Sequence, residues 1–285
     1  MPKKAPPDAD DQDRPTARSR LRAALHDSPA GRGWRHSKAI ELGQRSLGFA
    51  ALGFLTLVPL LIVVSAADPA HGRGFAEWLG DGLGVSSAAR DEVARLFAGP
   101  AQVRQTTTAF GLAALAVFGL SFGAAVQTGY EKVWDLPAAR WYARWRQVLW
   151  LAVLIGSIYV TATTTLWRHS AAGTVAAALS AVLFFWWSQW VLLGGRVPGK
   201  ALLPGAALTA LGLLGLRVFS RLVFSPLIAS STVNYGPFGT VLVVQSWLVG
   251  VGVVVFGGAL LGRLAHEEIT TATETLLRRA RQRRR

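Results

Sequence analysis

Six apolar stretches, each 20 to 24 residues long, constrain the fold of this 285-residue chain more than any other feature. About 20 consecutive apolar residues are needed to cross a hydrocarbon core of roughly 30 Å as a helix. None of the stretches contains Asp, Glu, Lys or His, and none alternates as a strand of a membrane barrel does. Since backbone polar groups in lipid must be satisfied within the segment, each stretch is predicted to be a transmembrane helix. The predicted spans are approximately 47–66, 108–127, 148–167, 174–193, 201–224 and 239–262.

The composition disfavours two other classes of protein. Hydrophobic residues make up 51% of the chain and charged residues 16%, although the net charge is +14. A soluble domain carries about 25% charged residues, so an ordinary soluble enzyme and a disordered chain both fit poorly. The absence of cysteine excludes disulfides, cysteine-ligated zinc, iron–sulfur clusters and thiol nucleophiles.

The distribution of Lys and Arg predicts how the spans are oriented. Six spans place both termini on the same side of the membrane. The segments on that side carry 23 of the 30 Lys and Arg residues, whereas those on the other side carry 5. By the positive-inside rule both termini are cytoplasmic, and the fold class is predicted to be all-α, a polytopic protein of the plasma membrane. A cleaved signal peptide is the alternative for the first span, but that span follows 46 residues and lacks a convincing cleavage site.

The predicted organisation has three parts. Residues 1–37 are a disordered cytoplasmic tail, because prolines and a run of aspartates occur there without apolar periodicity. Residues 38–268 form the six-helix membrane domain, and residues 269–285 form a basic cytoplasmic tail. We interpret the basic tails as attracted to the anionic inner leaflet, at about 1 kcal/mol for each basic residue. Nucleic-acid binding is the alternative, which the absence of interleaved aromatic residues in the C-terminal tail disfavours.

Two segments between the spans show local patterns. In segment 67–107, apolar residues recur at helical spacing in two groups, which predicts two short amphipathic helices on the outer surface. In segment 130–147, tryptophans are interleaved with basic residues, which is typical of an anchor at the membrane interface. Both segments are therefore assigned to the surfaces of the membrane domain.

The sequence contains no pattern that is typical of catalysis. The five histidines are scattered and lie outside the spans. The triplet His266-Glu267-Glu268 resembles the start of a zinc-protease helix, but Thr270 stands where the second histidine is required. No P-loop, nucleophile elbow or pair of intramembrane carboxylates occurs. We therefore expect no enzymatic activity, no catalytic or metal-binding residue and no cofactor.

Small and polar residues within the spans predict how the helices contact each other. Gly119 and Gly123 are four residues apart, as are Gly258 and Gly262, which is the spacing of small residues at close helix contacts. Gln189, like Gln245, is expected to form an interhelical hydrogen bond.

Two arginines in the fifth span are the polar residues most informative about function. Arg217 and Arg221 are four residues apart, so they share one face of a helix. Arginine at membrane depth usually faces a cavity or a partner, and no span supplies an acidic counter-ion. We therefore predict an outward-opening site that binds an anion and is formed by Arg217, Arg221, Tyr235 and Gln245. The alternative is that both side chains snorkel to the membrane interface.

Several short motifs occur in a fixed order from the first span to the last. They are Gly48-Phe49-Ala50-Ala51, Val58-Pro59-Leu60-Leu61, Trp134 with the basic segment 140–146, Gly195-Arg196-Val197-Pro198, Leu203-Pro204-Gly205-Ala206, Asn234-Tyr235-Gly236-Pro237-Phe238-Gly239 and Gly257-Gly258-Ala259. In this order and spacing, over about residues 38–268, they resemble the YihY/BrkB family of inner-membrane proteins.

The resemblance implies a six-helix all-α fold in the cytoplasmic membrane and a role in transport or lipid export. It also implies a tight structural turn into the sixth span, at Asn234, Gly236 and Gly239, since glycine readily adopts special dihedral angles. The family carries an old ribonuclease BN label, which nothing in this chain supports chemically. Where the family commonly has Glu after the Gly-Ala of the last helix, this chain has Leu260.

Two functions fit these observations. The first is a transporter-like or flippase-like protein for an anionic or lipidic substrate, because the chain has six spans, little soluble mass and a paired arginine motif. The second is a non-transporting scaffold of an envelope complex, with the tails and outer helices as contact surfaces. A nuclease is disfavoured, because no carboxylate cluster is available for a metal. The predicted partners are membrane lipids and an anionic or lipid substrate rather than nucleic acid, and a homo-oligomer is left open.

Overall fold

The computed structural model describes residues 41–67, 108–139, 144–163, 171–235 and 237–282. Regular structure in these ranges is helical, which confirms the all-α class for the described part of the chain. The predicted tail 1–37, nearly all of the outer segment 67–107 and the last three residues of the C-terminal tail lie outside the described residues. The helices are α1 (Leu42–Ala67), α2 (Thr108–Val133), α3 (Arg144–Thr163), α4 (Ala171–Leu193), α5 (Gly199–Tyr235) and α6 (Pro237–Gln282).

Four of these helices contain a segment long and apolar enough to cross a membrane. The segments are Ala109–Val133 of α2, Val175–Leu193 of α4, Gly199–Val223 of α5 and Phe238–Thr271 of α6. Large apolar side chains on them face outward: Phe110 is 72% exposed and Leu222 is 73% exposed. Apolar surface of this extent is typical of contact with lipid, and the chain is therefore a membrane protein. Membrane crossing by α1 and α3, and the cytoplasmic location of both termini, stay predictions.

Helices α5 and α6 form an antiparallel hairpin whose register is set by small residues. A Cβ atom added at Gly262 would overlap the Gly205 Cα atom, and one added at Gly258 would lie 2.9 Å from the Thr209 Cα atom. The predicted role of Gly258 and Gly262 in close helix packing is thereby confirmed. In chain order, the contacts of the hairpin are Gly205 with Gly262, Thr209 with Gly258, Gly212 with Val254 and Leu216 with Gly250.

The other predicted glycine pair joins α2 to α3. A Cβ atom at Gly119 would lie 2.6 Å from Cδ2 of Leu151, and one at Gly123 would lie 3.4 Å from the Gln147 Cβ atom. This pair therefore also has the predicted packing role.

Aromatic rings fill the centre of the described bundle. Phe49 of α1 contacts Phe122 of α2 and Phe256 of α6, with ring centroids 4.9 Å and 5.9 Å apart. Trp150 of α3 lies 5.7 Å from Phe122 by the same measure. Edge-to-face and tilted pairs of this kind add to the stability that ring burial provides. The cluster holds four helices together and leaves a packed interior.

Three helices continue well beyond the predicted C-terminal ends of their spans. Helix α2 ends at Val133 rather than near residue 127, which places Glu131 within the helix. Helix α5 ends at Tyr235 rather than near residue 224, and α6 runs to Gln282, through most of the predicted tail 269–285. A serine or threonine can continue a helix, because its hydroxyl can donate back to the carbonyl four residues earlier. Ser220 does so, to the Leu216 carbonyl at 2.8 Å.

The turn between α5 and α6 is shorter than the predicted loop. The structure places Asn234 in the last turn of α5 and Gly239 in the first turn of α6, whereas Gly236 lies outside the described residues. Pro237 occupies the first position of α6, where the missing N–H costs no hydrogen bond. Helix α6 therefore begins two residues after the last residue of α5.

Candidate functional site

Arg217 and Arg221 lie one helical turn apart on α5, and both side chains are exposed. Apolar side chains surround them on the same surface, since Val218 is 61% exposed and Leu222 is 73% exposed. Within the described residues, neither guanidinium group makes a hydrogen bond or an ion pair. Two positive charges thus lie on an apolar surface, and no described residue neutralises them.

The hairpin brings Gln245, but not Tyr235, to the level of the arginine pair. The contact between Leu216 and Gly250 sets a register in which Gln245 of α6 lies level with Arg221 of α5. Gln245 is half-buried and forms no hydrogen bond within the described part of the chain. Because α5 continues as a helix, Tyr235 lies 14 residues beyond Arg221, or about 21 Å along the axis. Of the four predicted residues, Arg217, Arg221 and Gln245 therefore lie within about one helical turn of each other along the hairpin.

A second polar group of residues, which sequence reasoning missed, lies where α2, α3 and the α4–α5 turn meet. The Glu131 side chain is 4% exposed, and Arg196 donates a short hydrogen bond to it. Gln127 donates its Nε2–H to Glu131 Oε1 at 3.1 Å, and Gln147 of α3 donates to Gln127 Oε1 at 2.9 Å. The backbone N–H of Ala139 also donates to the carboxylate, at 3.1 Å. We call Gln127, Glu131, Gln147 and Arg196 the Glu131 cluster.

Arg196 is held in the Glu131 cluster by backbone carbonyls as well as by the carboxylate. Its Nε–H donates to Leu193 at 2.8 Å and its Nη1–H donates to Pro137 at 2.7 Å. The preceding turn contains Gly194 at φ 66° and Gly195 at φ 68°, values that favour glycine. The two glycines therefore allow the turn that carries Arg196 to Glu131.

Arg263 of α6 secures the same end of the bundle. It donates Nη1–H to the Val133 carbonyl at 2.7 Å, at the end of α2, and Nε–H to Glu267 at 2.7 Å. A cation at the last carbonyls of a helix is favourable because those carbonyls have no partner within the helix. The end that contains the α2–α3 and α4–α5 connections is thus fixed by polar contacts.

Two sequence signals could have indicated the Glu131 cluster. Gln127 and Glu131 are four residues apart, which places them on one helix face, and Arg196 lies in a turn that contains two glycines. The partnership between Glu131 and Arg196 spans 65 residues, so it depends on the tertiary fold.

Gln189 of α4 is fully buried, and neither atom of its amide has a hydrogen-bond partner. The predicted interhelical hydrogen bond is therefore absent from the described part of the structure. The adjacent Ser188, in contrast, accepts a hydrogen bond from the Trp150 Nε1–H of α3.

Two open grooves follow the outside of the bundle. One, of about 280 Å³, lies between α1 and α2, and its walls include Pro59 and Phe118. The other, of about 370 Å³, lies between α3 and α4. Both are lined mainly by apolar side chains, and neither is lined by Arg217 or Arg221.

Comparison of the chain with models of protein families finds no match. Comparisons with curated proteins and with solved structures find no match either.

Proposed function

We propose that this membrane protein handles a lipid with an anionic headgroup, which it binds through Arg217 and Arg221, and that it moves this lipid between leaflets. The observation that carries the proposal is the exposure of both guanidinium groups on the apolar surface of α5. A guanidinium group binds phosphate through paired N–H donors, and the two side chains lie one turn apart. An anionic headgroup therefore supplies the negative charge that no described residue offers to the two guanidinium groups.

The exposure of the pair favours a lipid over a soluble anion. A soluble anion needs an aqueous path between helices, whereas a lipid reaches Arg217 and Arg221 laterally from the bilayer. The interior of the described bundle is filled by aromatic rings, and the two grooves open outward. Both features support entry of the substrate from the surrounding membrane.

The second candidate function is a non-transporting scaffold. The packed aromatic interior favours it, because transport requires two arrangements of the helices and a packed core resists rearrangement. In a scaffold, Arg217 and Arg221 hold lipid headgroups in place without moving them.

Reconstitution into liposomes tests the proposal and separates the two candidates. The measurement is the rate at which fluorescent phosphatidylglycerol in the inner leaflet becomes accessible to a reductant added outside. We expect the wild-type chain to accelerate this exchange, and the double substitution Arg217→Gln/Arg221→Gln to reduce it at least tenfold. Lys200→Gln is the control, because it removes an exposed cation from the start of the same helix.

Two results would contradict the proposal. Exchange by the wild-type chain at the rate of protein-free liposomes favours the scaffold. Equal rates for the wild-type chain and the arginine double variant, both above protein-free liposomes, remove the arginine pair from the mechanism.

A further inference from the structure

The seam between α3 and α4 carries a cation that has neither a hydrogen-bond acceptor nor an anionic partner among the described residues. The guanidinium group of Arg146, in the first turn of α3, lies directly over Gly194 at the end of α4, and a Cβ atom at Gly194 would overlap it. Within the described residues, Arg146 makes no hydrogen bond or ion pair. It does lie over the Trp145 ring, with 5.8 Å between the Arg146 Cζ atom and the ring centroid.

Exposed aromatic and apolar side chains lie near the level of this cation on α3 and α4. Trp145 is 59% exposed and Trp190 of α4 is 45% exposed, and the next turn of α3 presents Val148, 53% exposed. Tryptophan favours the level of lipid headgroups because its ring is apolar and its N–H is polar. Arg146 is therefore placed at a boundary between polar and apolar surroundings.

An apolar groove begins about two turns further along the same seam. Its lining residues are Val153, Ser180, Leu183, Phe184, Trp186 and Trp187, and its volume is about 370 Å³. Val153 follows Arg146 by seven residues, or about 10 Å along α3. One wall is fixed, because the Trp186 Nε1–H donates to the Gly199 carbonyl at 2.9 Å.

We propose that this α3–α4 seam binds one anionic phospholipid, with the phosphate on Arg146 and an acyl chain in the groove. Along the seam, Trp190 lies between Arg146 and the apolar groove, and this order matches that of headgroup, interface and acyl chain in a lipid. The headgroup layer is about 5–8 Å thick on each side of the hydrocarbon core, so a groove about 10 Å from Arg146 lies at acyl-chain depth. The site is independent of Arg217 and Arg221, which lie on a different helix.

Fluorescence quenching tests the seam directly, because the chain has no cysteine and one can be introduced as the sole labelling site. A small fluorophore is attached to Leu149→Cys, one turn from Arg146, in the full chain. The labelled protein is placed in nanodiscs that contain either brominated phosphatidylglycerol or brominated phosphatidylcholine. We expect half of the fluorescence to be quenched at a lower fraction of brominated lipid with phosphatidylglycerol than with phosphatidylcholine. Arg146→Gln is expected to raise the half-quenching fraction of phosphatidylglycerol about fivefold, which corresponds to about 1 kcal/mol for one basic residue.

Two glycine variants provide a matched control. Gly194→Ala and Gly195→Ala both place alanine at a positive φ, so they carry a similar backbone cost. Only alanine at 194 displaces the Arg146 guanidinium group, since a Cβ atom at 195 meets nothing closer than 3.9 Å. We expect Gly194→Ala to reproduce the effect of Arg146→Gln, and Gly195→Ala to leave the preference for phosphatidylglycerol intact.

The same nanodiscs test the role of the groove and whether Arg146 binds a free anion rather than a lipid. Val153→Phe fills the groove and is expected to weaken quenching by both lipids, whereas Arg217→Gln/Arg221→Gln is expected to leave quenching at position 149 unchanged. Equal quenching by phosphatidylglycerol in the wild type and in Arg146→Gln would overturn the proposal. Relief of quenching by added inorganic phosphate would assign Arg146 to free anions and overturn the lipid site.

Discussion

The Glu131 carboxylate of α2 accepts a hydrogen bond from the Arg196 guanidinium group, which lies 65 residues away in the turn between α4 and α5. The carboxylate is nearly buried, and hydrogen bonds from this partner and from the amide of Gln127 replace those that water would make. Breaking a buried pair is more costly than replacing both members, because the remaining charge is left uncompensated.

Arg196→Met is therefore expected to lower the free energy of unfolding by about 3–5 kcal/mol. Glu131→Gln/Arg196→Met is expected to recover most of this loss, because no buried charge remains. Thermal unfolding of the purified protein in detergent measures the difference. The control is Arg144→Met, which removes an exposed cation nearby in the sequence; equal destabilisation by Arg196→Met and Arg144→Met would mean that the pair is energetically unimportant.

Close contact between α5 and α6 predicts that alanine substitutions at two glycines of α6 change the stability of the protein differently. Gly262→Ala places a methyl group against the Gly205 backbone, which cannot rotate away, and is expected to destabilise the protein by about 1–3 kcal/mol. Gly257→Ala meets nothing within 4 Å and is expected to be neutral or to stabilise by about 0.5–1 kcal/mol. Thermal unfolding of both variants checks the contrast. Similar stabilities would contradict the hairpin register.

The positions of the helices were predictable from the sequence, whereas their ends and the buried polar contacts were not. Long apolar runs indicate helices because lipid leaves no other means of satisfying the backbone. Glu131 looks like a solvated residue beyond a span, and its burial depends on Arg196, which is distant in the chain. The end of α5 was missed because the predicted span ended near residue 224, at a length sufficient to cross the membrane, whereas the helix continues to Tyr235.

The candidate site was predictable only in part, because spacing along one helix does not show where that helix ends or which other helices it contacts. Spacing placed Arg217 and Arg221 on one face and the structure confirms that arrangement, because both are exposed on α5. Spacing could not place Tyr235, whose position depends on how far α5 continues. The cation at Arg146 was recognised only as part of an interfacial segment, because its contact with Gly194 joins two helices.

Adjacent residues of α4 are expected to respond oppositely to loss of their polar groups. Gln189→Leu removes a buried amide without a hydrogen-bond partner and is expected to leave stability unchanged or to raise it by about 1 kcal/mol. Ser188→Ala removes the acceptor of the buried Trp150 N–H and is expected to cost about 1–3 kcal/mol. Thermal unfolding decides between them. A strongly destabilised Gln189→Leu would show that a bound water or another polar partner satisfies this amide.

Single cysteines in this cysteine-free chain test whether α1 and α3 cross the membrane. With six spans and cytoplasmic termini, Ala139→Cys is cytoplasmic, whereas Ser170→Cys and Ser231→Cys are external. A membrane-impermeant maleimide applied to intact cells is then expected to label positions 170 and 231 but not 139. If only α2, α4, α5 and α6 cross the membrane, positions 139 and 170 lie on the same side and behave alike.

Both candidate functions require the arginine pair to recruit an anionic headgroup, and this central claim can be tested directly. A fluorophore on Leu222→Cys, one residue beyond Arg221, reports bound lipid in nanodiscs that contain brominated phosphatidylglycerol or phosphatidylcholine. Recruitment of the headgroup by Arg217 and Arg221 predicts stronger quenching by phosphatidylglycerol, loss of that preference in Arg217→Gln/Arg221→Gln, and its retention in Lys200→Gln. Equal quenching by the two lipids in the otherwise wild-type chain would contradict it.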